Sequence, residues 1–310
     1  MKYPKQPLTF DKQVNLLLSR GLLGDPILMC ERLSSVNYYR LSGYLYPYRI
    51  PGSENYQAGT QFKTVWDQYA FDRRLRLLVM DAIERIEIAV RTQLAYHHAG
   101  IYKDPFAYAN LPISLPSLKT SDHIKFLASI REETERCKKD LFVSHFRTKY
   151  GDEHADLPIW MAVEIMSFGT MQLFYRGASH QVKQNVASHF GMPDKVFDTW
   201  LHTLSVIRNI CAHHGRLWNK VLGIKPFIPL QKDYPDWHTP FQIPNSRIFG
   251  VLTICRYCLS RIAPQSRWPS CVTQLLADFP DVPVAQMGFP ENWQQSPLWR
   301  LPAAKAKPAP

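Results

Sequence analysis

Between Val65 and about His98 the apolar residues Leu75, Leu78, Val79, Ala82, Ile83, Ile86, Val90 and Leu94 recur at three- and four-residue steps. That period keeps one face of a single long helix apolar over many turns, and a helix of this kind is the central rod of a bundle. The surrounding signals are helical too. Leu8 to Ser19 reads as a short amphipathic segment, and Asp25-Pro26 supplies a cap and a first-turn proline for a second helix. The block from Asn37 to Tyr48 follows at once. Further helices are expected over 121–148, 158–175, 180–190, 194–214, 246–262 and 270–279.

The fold class is therefore all-α: a helical bundle with a small helical N-terminal lobe and a Pro-rich C-terminal tail. Boundaries are expected at 1–55 for the lobe, 56–265 for the bundle and 266–310 for a last helix and tail. Residues 50–60 are a loop by composition, and Pro105, Pro112 and Pro116 mark 100–120 as a connector. The stretch 223–244, rich in proline and aromatics, is expected to wrap the surface, and everything after Pro280 to run extended or disordered.

Within the expected helix 194–214, Phe197, Trp200, Leu201, Leu204, Ile207 and Cys211 form the apolar stripe. At about 100° per residue Arg208 projects from the middle of that stripe, where a guanidinium is costly unless paired or facing a polar cleft. His213 follows with four residues intervening, roughly 140° around the axis. Arg is charged at every relevant pH and grips phosphate oxygens with a planar fork, while imidazole gives or takes a proton near neutrality. The pair suits phosphodiester cleavage without a metal. One regular helix does not bring both groups onto one phosphate, so either the helix distorts before Gly215 or two protomers share a groove. The competing structural reading buries Arg208 in an ion pair and leaves His213 and His214 as cations at a helix C-terminus. Spacing by itself decides nothing, since Arg91 with His97 and Arg147 with His154 match it loosely. The Asn209 that follows the Arg, the second His and the closing Gly215 set the Arg208 run apart.

Arg208 to Asn219 (RNICAHHGRLWN), together with Asn37-Tyr38-Tyr39-Arg40-Leu41-Ser42-Gly43-Tyr44, Glu87 to Gln93 and the segment from Pro158 to Thr170, resembles the Abi-like abortive-infection branch of the HEPN superfamily, the AbiD/AbiF type. The similarity spans about residues 5 to 262 in order. It implies an all-α HEPN-like bundle, metal-independent endoribonuclease activity with no cofactor, an obligate homodimer, and a growth-arresting role in defence against phage. It places the catalytic pair at Arg208 and His213; by position Asn209, one turn before His213, could orient its ring, and His214 is a supporting imidazole beside it.

Other residues are candidates by chemistry. Arg216, Trp218, Asn219 and Lys220 leave the helix where they could hold an RNA backbone and stack a base, although Trp218 serves equally as a core plug. Tyr39 and Arg40 offer an aromatic beside a cation, or simple helix packing. Glu84, Glu87 and Glu164 could orient Arg208 or His213. Arg91, four residues after Glu87, either pairs with it or faces substrate.

A formal net charge of +11 over 310 residues favours a polyanionic partner. RNA is the expected partner, with a noncoding RNA or another antitoxin as restraint. A non-catalytic protein that holds a structured noncoding RNA is the rival reading, and a protein-interaction or nucleotide-binding helical domain is a third. The six cysteines are scattered, and Cys255 and Cys258, in a helical run with no companion ligand pair, read as core thiols rather than zinc ligands. No apolar run approaches a membrane span and the Met1-Lys2-Tyr3-Pro4 start lacks a signal core, so a cytoplasmic protein with no membrane partner is expected.

Overall fold

The computed structural model describes residues 6–110 and 112–300, and in them thirteen α-helices and no sheet. The first three helices are α1 (Phe10–Ser19), α2 (Pro26–Ser35) and α3 (Tyr38–Leu45). Each starts at a side-chain cap: Thr9 accepts from Lys12 N, Asp25 from Ile27 N and Asn37 from Tyr39 N. A loop leads to α4 (Phe62–Tyr102), whose 41 residues extend about 60 Å. Its buried face runs from Val65 through Leu75, Val79 and Ile86 to Leu94, as the period requires.

Around this rod stand α5 (Ala107–Asn110), α6 (Thr120–Arg136), α7 (Leu141–Tyr150), α8 (Ile159–Ile165), α9 (Phe168–Gly177), α10 (His180–His189), α11 (Asp194–Ala212), α12 (Ile248–Ile262) and α13 (Trp268–Asp278). Helix α4 packs directly on α3, α8, α9, α10, α11, α12 and α13. One contiguous apolar core results, running from Val14 in α1 to Trp299 near the end of the described chain.

Two expected helices are each divided. The 121–148 segment breaks at the turn over 137–140, where Cys137 ends α6 and Asp140 precedes α7. The 158–175 segment breaks at Met166 because Ser167 caps α9 through the Thr170 amide and Arg91 reaches the backbone carbonyls of Glu164 and Met166. A guanidinium on those carbonyls ends α8 by satisfying acceptors that would otherwise continue it.

The C-terminal expectation is corrected. Residues 280–300 are neither loose nor extended: short 3₁₀ turns at Val284–Met287 and Trp293–Gln295 fold them back on α12. Phe289 and Trp299 flank Phe249 with ring centroids at 4.6 and 5.8 Å, and the Trp299 indole N–H donates to Thr253 Oγ1 at 2.9 Å. The apolar payload of these rings outweighs the proline content. The tail motif from Ala303 to Pro308 lies outside the described residues. The 223–244 stretch also contributes to the interior, since Trp237 is buried against Trp200 and Tyr257. Cys255 and Cys258 sit wholly inside α12's core face, where burial pushes both thiols up. No described helix is long and apolar enough to cross a membrane.

Candidate functional site

Helix α11 stops at Ala212, one residue before the expected histidine. His213 is its C-cap, and His214 takes the left-handed conformation at φ 56°. The His214 N–H donates to Cys211 O at 3.0 Å and the Gly215 N–H to Ile210 O at 2.7 Å, the paired bonds of a Schellman turn. Glycine or asparagine usually fills the position His214 holds; a left-handed histidine is uncommon and must be over-determined by its surroundings. Three guanidinium contacts across the chain supply that constraint. Arg40 on α3 donates to His214 O at 2.6 Å, Arg76 on α4 to Gly215 O at 3.3 Å, and Arg216 reaches back to Gly43 O on α3.

Beneath the turn lies a buried polar cluster that nothing in the sequence motif announces. Asp72 Oδ2 accepts from Tyr44 Oη and from Arg76 Nη1, both at 2.5 Å, and Asp72 Oδ1 from the Trp218 N–H at 2.7 Å and the Leu217 N–H at 3.1 Å. Asp72 is 0 % exposed and Arg76 6 %, so these charges are tolerable only because each is bonded. Burial pushes the Asp72 carboxyl upward against the pull of its donors, and it pushes the Tyr44 hydroxyl upward as well. One carboxylate thus joins α3, α4 and the segment leaving α11. The signal available in the sequence was positional, because Asp72 and Arg76 interrupt the apolar stripe of α4 at a four-residue spacing.

The turn and α3 face each other across a cleft of about 540 Å³ lined by Asn37, Tyr39, Arg40, Gly43, His213, His214 and Arg216, with Tyr44 and Gly215. Among the described residues no carboxylate lines it. Both imidazoles are exposed and Tyr39 is 85 % exposed. The Asn37–Tyr44 and Arg208–Asn219 motifs, remote in sequence, therefore build one basic surface. Arg208 does not line this cleft. It is half-buried on the apolar side of α11, and among the described residues its one hydrogen bond goes to Asn209 Oδ1 at 3.5 Å. Among the described residues no carboxylate lies within ion-pair distance of it, so the buried ion pair of the competing reading does not form. Asn209 contacts Arg208 rather than the His213 ring; its backbone carbonyl accepts from His213 N at 3.0 Å. Burial pushes the Cys211 thiol within the motif up to about 12, which removes it as a nucleophile.

The structure separates the remaining candidates. Arg216 and Arg40 face the cleft. Lys220 is exposed beside it in sequence, but among the apolar walls of a small crevice formed with Val206, Ile210 and Ile224. Asn219 is half-buried, its carbonyl held by Arg247 at 2.8 Å. Trp218 is 1 % exposed and cannot stack on a base: its amide is committed to Asp72 and its ring fills the core. Arg91 is likewise withdrawn, bonded to Glu87 and to the α8 carbonyls of Glu164 and Met166. Glu87 is consumed in that pair, while Glu84 and Glu164 are exposed and form no ion pair with Arg208 or His213. Among the described residues no cluster of metal-ligating side chains is found.

No curated protein and no solved structure gives a significant match to the chain. A family profile does: that of the Abi-like protein family aligns with residues 31–219, a span that opens just before α3 and closes just after the turn, and so takes in both walls of the cleft. On that match the chain belongs to the Abi-like protein family.

Proposed function

We propose that this chain is a metal-independent endoribonuclease of abortive infection, a growth-arresting toxin that cleaves RNA through its own 2′-hydroxyl. The observation that supports this best is an acid-free cleft presenting two exposed imidazoles beside Arg40 and Arg216. His213 acts as base on the 2′-hydroxyl or acid on the leaving 5′-oxygen, and Arg208 stabilises charge on the pentavalent phosphate. The products are a 2′,3′-cyclic phosphate and a 5′-hydroxyl, and DNA is spared.

Because Arg208 stands outside the cleft that His213 enters, the active unit is a homodimer in which each phosphate meets Arg208 of one copy and His213 of the other. In EDTA-containing buffer, Arg208→Ala and His213→Ala each lose cleavage while unfolding at the wild-type urea midpoint. Mixing the two inactive variants restores about a quarter of wild-type activity, since only half the dimers are mixed and each has one intact site. Full cleavage by either single variant removes that residue from the mechanism, and no recovery on mixing removes the shared site. In cells, wild type arrests growth with fragmented RNA and His213→Ala does neither.

The same placement of Arg208 favours one alternative, a protein that holds a structured noncoding RNA in the cleft without cutting it. A retarded but intact labelled RNA in EDTA identifies that case.

A further inference from the structure

A second cleft, about 730 Å³, lies apart from the one that holds the histidines. It lies on the other side of Tyr39, between α1 and α3, and shares Asn37 and Tyr39 with the histidine cleft. The two therefore form one trough with Tyr39 standing on the ridge between them. The chemistry changes along it. At the histidine end the walls carry imidazoles and the guanidinium groups of Arg40 and Arg216; at the far end they carry Phe10, Leu16, Leu33 and Tyr38, with the amides of Gln6, Gln13 and Asn37 and a single guanidinium, Arg20, which is paired with Glu54. Phe10 is 45 % exposed, a large apolar side chain left in reach of solvent. Among the described residues no carboxylate lines either part.

The far pocket is also preformed. Gln13 Nε2 holds the Leu8 carbonyl at 2.9 Å, fixing the chain that enters α1. Arg20 donates to Tyr38 Oη at 3.2 Å and pairs with Glu54, tying the end of α1 to α3 and to the loop before α4. Asn37 Oδ1 caps α3 at 2.7 Å, and among the described residues its NH₂ group has no hydrogen-bond acceptor. Flat apolar walls with amide groups at the rim match an unpaired nucleobase, which offers a π-face to an aromatic and a hydrogen-bonding edge to an amide. Phosphates want the opposite surroundings, and the histidine end supplies them.

Resting on the ribonuclease reading of the histidine cleft, we infer that the α1/α3 pocket is a nucleobase subsite, which takes the unstacked base of a nucleotide flanking the scissile phosphate of single-stranded RNA. Tyr39 stacks on the base at the ridge and Phe10 closes the far side. A paired base cannot enter, so the pocket selects single strands over duplex.

The test is equilibrium binding of a labelled ten-nucleotide single-stranded RNA to the His213→Ala protein, repeated with an abasic nucleotide moved along the oligonucleotide. In the otherwise native protein one abasic position weakens binding about 5- to 100-fold, the range of a single stacked base. In the Phe10→Ala background the whole oligonucleotide binds more weakly by a similar factor, and the abasic penalty at that position disappears. The dependence on salt stays the same, because stacking releases no counterions. A flat abasic profile, or an abasic penalty untouched by Phe10→Ala, overturns the subsite. Its fate is separable from that of the ribonuclease reading: a positional penalty in a chain that never cleaves RNA keeps the pocket and removes the nuclease, and cleavage with a flat profile does the reverse.

Discussion

His214 shows how one residue can depend on partners far from it in sequence. Its left-handed backbone is not a preference of histidine, and it persists because Arg40 and Arg76 grip the consecutive carbonyls of His214 and Gly215. His98 is a second case at this scale. It is fully buried on α4 against Tyr102 and Phe174, and burial lowers its pKa to about 4. The folded protein therefore holds it neutral where the unfolded chain, titrating near 6.5, binds a proton. Its contribution is complete above pH 6.5 and is lost as pH falls from there toward 4, by about 3 kcal/mol in all. Urea titrations of His98→Phe at pH 7 and pH 4.5 are expected to show about 2 kcal/mol less acid sensitivity than wild type, and an unchanged acid limb would assign the effect elsewhere. Legibility differs sharply between residues. Arg208 and His213 were readable as a spaced pair, whereas Asp72 and Arg76 were not, because a charged residue inside an apolar stripe announces only that a partner must exist. Trp218 and Arg91 carried plausible chemistry for RNA, and packing withdrew both.

Among the elements, α4 was legible almost to its ends, since a 3.6-residue period repeated over many turns has few other solutions. The break at 166–167 was not, because it depends on Arg91 and on a local cap competing with continuation of the helix. The junction of α3, α4 and α11 hangs on Asp72. Asp72→Ala leaves Arg76 charged without a partner in the core and orphans the amides of Leu217 and Trp218. A loss of about 3–5 kcal/mol is expected by urea unfolding, with partial recovery in Asp72→Ala/Arg76→Leu, which removes the stranded charge as well. If the single and double variants lose equally, the carboxylate serves the turn rather than the guanidinium.

For the whole molecule, the C-terminal segment decides how the bundle closes. Truncation after residue 282 strips Met287, Phe289, Trp293 and Trp299 from the core and exposes Phe249. At about 1.5–3 kcal/mol for each large apolar side chain this approaches the entire stability of a typical domain. The shortened chain is expected to unfold cooperatively at a much lower temperature, or to aggregate; an unchanged melting temperature would return these residues to the status of a tail. The all-α class and the central rod came from the sequence alone, because helical period and caps are local properties that a linear chain displays in full. Which of its basic residues are free to meet a phosphate, how His213 and His214 come to share a trough with Tyr39 and Arg40, and that the proline-rich end seals the core were settled only by the tertiary fold. Those facts turn on burial and on partners up to 174 residues apart, and neither is written in any stretch of neighbouring residues.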